Sequence, residues 1–459
     1  MLKSISPDRC FTSALAVLLG WLSLAHAGDD FPLELGTYLD TEPAEPIGLA
    51  FAGDGSLVVG INSDFVDGNP SSGSILRLDA VTAELLDTLW SGSPLVDFAG
   101  GSGTSSWAAV TANMRLLGNT DGLMLESELP LPGGHSAEAI AVCPGHVAVL
   151  SFDSGVSDYV ARLYTRAGSE IFDSQRTDTQ VADIACDPTT ERVFLTGYNQ
   201  VSANLQLVFV DGLSYQGTSD WRAYGTTGNI TVIADTRGRI LRRTDQGTLW
   251  FGGSANGGQN AFQVDPLNPN MNALLNSFDQ YNQPFNLGSV NIAFYGQLDP
   301  ETGALINGQF QLARLSSGRG NTVRINALDV DNAGSLHVGG TSFASMANRD
   351  SLSVQGQTVA PYAGRDPSLM VVPDDLGSRT YWTSFIDANG QGDVIAVAAA
   401  GDQYAFLIEN VQGTMLTVNA PISGNDLLDS DTTDTPYAWL GTWGNVISSD
   451  LLFADSFEL

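Results

Sequence analysis

Ile325-Asn-Ala-Leu-Asp-Val-Asp-Asn-Ala-Gly-Ser-Leu-His-Val-Gly339 is the stretch whose reading decides the fold. Ile325, Ala327, Leu328, Val330, Leu336 and Val338 suit two short strands, and Asp331, Asn332 and Gly334 between them suit a tight turn with at least one residue at positive φ. The stretch reads as a β-hairpin. Variants of it recur along the chain.

Ile47-Gly-Leu-Ala-Phe-Ala-Gly-Asp-Gly-Ser-Leu-Val-Val-Gly60 follows nearly the same pattern. Further copies lie at 95–110, 139–150, 181–197, 240–253 and 394–407, so the chain carries seven such hairpins. Several are followed by a second hairpin: 74–78 with 84–90, 159–164 with 170–172, 292–295 with 304–306, and 368–372 with 380–385. The unit is therefore four strands. A β-sandwich does not repeat such a unit this often, whereas a β-propeller packs successive four-stranded sheets around an axis. The expected fold is all-β, a β-propeller of about seven four-stranded blades. Leu33-Glu-Leu-Gly-Thr-Tyr-Leu39 precedes the first blade and would complete the last one beside Ala438-Trp-Leu-Gly-Thr-Trp443, closing the ring and removing an exposed edge.

Composition agrees with many glycine turns and few charges: 50 of 459 residues are Gly and only 15% are charged. Residues 1–27 read as a signal peptide, with Lys3 and Arg9 before an apolar core from Phe11 to Leu24 and a small-x-small site at Ala25-His26-Ala27. That core is short for a transmembrane anchor, and Cys10 precedes it, which argues against a lipoprotein. The expected domains are a signal peptide at 1–27, a propeller at 28–446 and a tail at 447–459. Cleavage would remove Lys3, Arg9 and Asp8, leaving 17 basic and 50 acidic residues, a formal charge of −33 and no lysine. Such a chain repels nucleic acid and anionic lipid, and lysine-based catalysis is excluded. No later stretch is apolar for long enough to span a bilayer, and a monomer is expected. Cys143 and Cys186 would remain, an even pair that an oxidising compartment invites to form a disulfide.

Asp331-Asn-Ala-Gly-Ser-Leu-His-Val-Gly-Gly-Thr-Ser-Phe343, with Asp366-Pro-Ser-Leu-Met-Val-Val372 and Thr380-Tyr-Trp-Thr-Ser-Phe385, resembles the bacterial SBBP-type β-propeller repeat family and, more loosely, NHL-type repeats. The likeness is clearest over residues 240–410. It implies a propeller fold and an exported setting, and it supplies no catalytic residues. The final Leu451-Leu-Phe-Ala-Asp-Ser-Phe-Glu-Leu459 resembles the short Phe-Glu-ending tails of exported Gram-negative proteins, with Ser456 where glycine is usual. Secretion or residence in the periplasm of a Gram-negative bacterium follows as the expectation.

Three groups of residues carry the candidate chemistry. Two long insertions, 254–289 and 341–367, fall between the second and third strands of adjacent blades and would share one face. The first is rich in amides, among them Asn260 and Gln263, interleaved with Phe278, Tyr281 and Phe285. Neutral donor-acceptor pairs beside flat apolar rings suit a glycan or an extended peptide. Arg237, Arg239, Arg242 and Arg243 crowd one inner strand, where they would either hold a carboxylate or sulfate ligand or neutralise inward-pointing Asp97, Asp183 and Asp329. Asp426, Asp429, Asp431 and Asp434 share one loop and are the candidates for calcium, although their spacing departs from the EF-hand pattern. No cofactor is otherwise required.

Enzyme templates fit poorly, since the histidines after residue 27 are His135, His146 and His337 with no metal-ligand spacing, and no nucleophile elbow or phosphate loop occurs. His337 reads as a packing residue and Asp331 as a turn residue. The expected function is a non-catalytic scaffold that binds a glycan, peptide or protein through its long loops. The alternative is a calcium-assisted hydrolase or lyase with carboxylates and arginines at the axis.

Overall fold

The computed structural model describes residues 30–63, 72–100, 105–120, 122–225, 235–244, 246–257, 261–275, 288–314, 320–344, 353–427 and 436–444. Among these, seven four-stranded antiparallel sheets form the blades of a propeller. The signal-peptide and C-terminal-tail expectations lie outside the described residues.

From the axis outward, the innermost strands of blades one to seven are Ala44–Phe51, Leu95–Gly100, His135–Cys143, Gln180–Asp187, Thr236–Arg243, Val323–Val330 and Gln391–Ala400. Each pairs with the next strand in sequence, and two more follow to the rim in blades one to six. Blade seven is built from both ends of the fold: its outermost strand is Leu33–Tyr38, antiparallel to Tyr437–Gly444, with Leu33 opposite Trp443 and Tyr38 opposite Trp439.

Every sheet is covered on both faces by its neighbours, which explains why the inner strands read as unbroken apolar runs rather than alternating ones. Leu336–Ser342 and Asp366–Val372 are buried at all positions, whereas the rim strands Leu85–Trp90 and Met124–Pro130 are largely exposed. The core is accordingly divided into seven apolar clusters, one for each seam between neighbouring blades.

The opening hairpin shows how sequence dictates shape. Gly334 sits at φ +86°, a conformation costly for a side chain, and Asp331 Oδ1 accepts the N–H groups of Ala333 at 3.0 Å and Ser335 at 2.8 Å. All seven innermost strands also carry a one-residue bulge, at Ile47, Val96, Glu138, Ala182, Arg239, Asn326 and Ile395. The glycine that ends the hairpin pattern makes room beside it: a Cβ at Gly340 would meet the Arg324 carbonyl oxygen at 1.9 Å, and one at Gly197 would meet that of Gln180 at 1.9 Å.

Polar clamps cross the seams. Asp97, Asp183 and Asp329, on blades two, four and six, accept backbone N–H groups of the next blade's innermost strand, from Ile140 at 2.7 Å, Leu241 at 2.7 Å and Ala399 at 2.9 Å. Blades three and four are further joined by an ionic quartet in which Arg222 donates to Asp211 at 2.6 Å and to Asp178 at 2.9 Å while Arg176 contacts both carboxylates. Cys143 and Cys186, at the ends of the innermost strands of the same two blades, form a disulfide with a Cα–Cα distance of 5.9 Å.

The closing strand buries Phe31, Leu33, Leu35 and Tyr38, each side chain contributing about 2 kcal/mol of hydrophobic stabilisation. Deleting residues 30–38 strands those seams and the edge of Tyr437–Gly444; the truncated chain is expected to shift to aggregates in size-exclusion chromatography and to melt at least about 10 °C lower than the intact chain. The disulfide spans a separation of 43 residues. Loop-closure entropy for a ring of that size is about 4 kcal/mol, so the C143S/C186S double variant is expected to unfold at lower denaturant while keeping native circular dichroism.

Candidate functional site

A propeller has two unlike ends. Each innermost strand runs from the face where one blade joins the next to the face bearing the tight turns that follow it. Connections between blades, and those between second and third strands, leave from the first face, which therefore carries the long segments 257–288, 342–366 and 412–437. This is the loop-bearing face. The opposite face carries short turns such as the Asp331 turn.

The arginine-rich strand Thr236–Arg243 spans this axis from end to end, and its four arginines do different things. Near the turn face, Arg242 donates through Nε to Asp329 at 2.8 Å and Arg243 ion-pairs with Asp187 at 3.0 Å. Burial alone would raise the Asp187 carboxyl, but Arg243, the Thr189 N–H and the Thr190 hydroxyl outweigh it and hold the carboxyl below its usual range. Near the loop-bearing face, Arg237 contacts Asp235 at 3.3 Å and Gln206. Arg239 occupies the bulge, is exposed, and makes no hydrogen bond or ion pair among the described residues. Desolvation of the guanidinium by the surrounding walls, although the residue as a whole is exposed, then Arg237 and Arg324 nearby, push its pKa down, as expected for a cation with cations as neighbours.

Of Asp97, Asp183 and Asp329, Asp329 takes an ion pair from these arginines, and the positive charge of Arg242 also acts on Asp183. Asp97 and Asp183 are satisfied by backbone: each accepts one N–H across a seam and one from the residue after it, Phe98 at 2.8 Å and Ile184 at 2.8 Å. The reason is reach, because each carboxylate sits on a strand one seam away from an amide that already points at it. Both line an axial cavity of about 180 Å³. Desolvation raises Asp97 to about 6; desolvation, then the charge of Asp97, raises Asp183 to about 8.

A larger concavity, about 360 Å³, opens between blades four and five on the loop-bearing face, lined by Gln180, Ala182, Tyr198, Arg237, Gly238 and Arg239. Gly238 sets its depth. A Cβ at Gly238 would meet the Thr196 hydroxyl at 1.9 Å, so only glycine lets the two blades close here and plants Arg237 and Arg239 on either side of the contact. The Arg237 guanidinium lies 5.7 Å from the centre of the Tyr198 ring. Arg324, on the neighbouring blade six, stacks on Phe343 at 4.9 Å. Tyr198, Gln180 and Arg324 carry no local sequence signal, since they reach the site from other blades.

The remaining candidates are dispersed. Gln263 lies in a short 3₁₀ turn, Ala261–Gln263, whose Phe262 is fully buried and stacked on Phe294 with centroids 4.3 Å apart, so this part of the amide-rich insertion is anchored in the core. Asn260, Phe278, Tyr281 and Phe285 lie outside the described residues. Asp426 is exposed and accepts the Ser423 N–H and hydroxyl, both at 2.8 Å, which lower its pKa; Asp429, Asp431 and Asp434 lie outside the described residues. Among the described residues no three His, Cys, Asp or Glu side chains are placed to hold a metal ion. His337 is buried, contacts Asp331 at 3.2 Å and stacks on Tyr404 at 4.8 Å, so it serves packing. No helix among the described residues is long and apolar enough to cross a membrane.

No family model and no curated protein matches the chain. Among solved structures it is similar to the WD40 β-propeller domain of Doa1, at 9% identity and a TM-score of 0.46, with 89% of this chain and 96% of that one covered. The fold is read from the seven blades themselves.

The two axial carboxylates carry a pH signature. Their folded pKa values exceed the unfolded value of about 3.9, so the folded state binds more protons between them, and their contribution to stability, full below about pH 4, is lost as pH rises through about 6 and about 8. Urea midpoints measured from pH 4 to 9 are expected to decline; Asp97→Asn flattens the lower part of that decline and, by removing a charge that raises Asp183, moves the upper part to lower pH, whereas Asp183→Asn flattens the upper part.

Proposed function

We propose that this chain is an exported, monomeric scaffold that binds a glycan, peptide or protein on its loop-bearing face and carries out no chemistry there. The observation that supports this most is the division of labour along the axis. The ionisable groups a reaction would recruit, Asp97, Asp183, Asp329, Arg242 and Arg243, are engaged by the fold, while the long connections and the exposed Arg239 gather at the other mouth. Export is supported by the signal-like residues 1–27, by the likeness of the repeats to SBBP-type propellers and by the disulfide, which persists in oxidising compartments. No cofactor is needed for this role, and calcium at the loop of Asp426, Asp429, Asp431 and Asp434 would be structural.

The anchored Phe262 dictates how the reading is tested, because removing the whole insertion would also remove a core side chain. Replacing residues 276–286 by a short Gly-Ser linker leaves Phe262 in place. On glycan and peptide arrays the intact chain is expected to capture ligand and the shortened chain to lose at least about tenfold of that signal at an unchanged melting temperature. An identical binding profile would overturn the assignment to this face.

A further inference from the structure

The geometry points to an anion subsite in the concavity between blades four and five, built to take the carboxylate of an acidic sugar such as a uronate. This deepens the scaffold reading and rests on it. The first observation is an uncompensated cation. In a chain with a formal charge of −32, where Arg242, Arg243, Arg222, Arg176 and Arg365 are all held by carboxylates, Arg239 is left without a hydrogen bond or ion pair among the described residues, as is Arg324 on the innermost strand of blade six, whose guanidinium is instead stacked on Phe343. Abundant acids elsewhere make this placement informative: neutralising it would have needed one more of 51 acidic residues.

The second observation is that the position is built. The bulge re-aims Arg239, and Gly238 permits the approach of blade five onto blade four that brings it beside Tyr198 and Gln180. Arg237 and Arg324 add positive potential without occupying the same direction, one tied to Asp235 and Gln206, the other stacked on Phe343. A planar guanidinium with its donors unspent matches a carboxylate bidentately.

The rest of the lining selects among carboxylates. A volume of about 360 Å³ accommodates one sugar ring, and the walls offer a phenol, an amide and guanidinium donors, with Ala182 as the sole aliphatic side chain. Hydroxyls of a pyranose can pair with Tyr198 and Gln180, and its ring can rest on the aromatic edge. A peptide C-terminus would bring an aliphatic or aromatic side chain with it, and the cleft has no apolar pocket to receive one.

The test uses the full chain and calorimetric titration with three probes: a glucuronate-terminated disaccharide, its methyl ester, and a short peptide with a free C-terminal carboxylate. The disaccharide is expected to bind, the ester and the Arg239→Ala variant each to weaken binding at least about tenfold, and Arg239→Lys to recover only part of it, since an ammonium keeps charge but loses the fork. Gly238→Val, by wedging the blades apart, is expected to abolish binding. Because Arg239 is exposed and has no hydrogen bond or ion pair among the described residues, Arg239→Ala keeps its fold, verified by melting. Equal affinity for the ester, undiminished binding by Arg239→Ala, or a preference for the peptide would each overturn the assignment. Should arrays show a neutral ligand captured at the loop-bearing face while the disaccharide does not bind, this subsite falls and the scaffold stands; should nothing be captured on arrays or in the titration, both fall.

Discussion

Ring closure is the constraint on which everything else rests. A blade here is not a stable object on its own, because its second and third strands are buried on both faces and need a neighbour on each side. Six seams can form by stacking sheets in chain order. The seventh sets the inner strands of blade seven against blade one, and Leu33–Tyr38 completes that blade by pairing with Tyr437–Gly444 while serving two seams at once: Phe31, Leu33 and Tyr38 pack toward blade six, and Leu35 packs toward blade one. Tyr38 also reaches inward, donating to Asn410 at 3.0 Å and accepting the Met415 N–H at 2.8 Å. The pairing of segments some 400 positions apart is thus satisfied by backbone, side-chain and apolar contacts together, which is what a high-contact-order closure needs to offset its entropy.

The repeat that fixes this architecture was plain in the sequence because the inner hairpin is under the tightest restraint. Both faces of Leu336–Ser342 are buried and its turn needs Gly334 at positive φ, so little but Val, Leu, Ala, Gly and an Asx turn fits, and all seven copies could be found. The outer hairpins are freer. Met124–Pro130 at the rim is mostly exposed, pairs on one side only and reads as neither an alternating nor an apolar strand, and the outer pair of blade two went unread for that reason; in blade four the apolar, buried Leu205–Ser214 went unread beside a rim partner, Ser219–Ala223, that is short and largely polar. Legibility decreases from axis to rim as burial does.

The site was only half legible. Four arginines within seven positions stood out at once, but a simple two-residue alternation would set Arg237, Arg239 and Arg243 on one face and Arg242 on the other. The bulge at Arg239 breaks that parity, and with about 3.3 Å of rise per residue Arg239 and Arg242 end roughly 10 Å apart, toward opposite mouths. Bulges are single inserted residues with no compositional mark of their own, so neither the split nor its consequence could be read. The partners are equally silent. Gln180, Tyr198 and Arg324 belong to other blades, and only the contact made possible by Gly238 brings the first two to the cleft.

Acidity and an anion subsite are compatible for a reason of range. At physiological ionic strength charges beyond about 8 Å are largely screened, so the formal charge of −32, spread over the whole surface, acts on a ligand chiefly while it approaches. Inside the cleft, screening is weaker; the cationic neighbours that act on Arg239 are Arg237 and Arg324, and Asp235 is engaged by Arg237. The surface field therefore discourages polyanions, whose many charges all feel it, more than a ligand with one carboxylate at its tip. That field acts as a filter, admitting a singly charged end group to a locally positive pocket and disfavouring extended anionic chains.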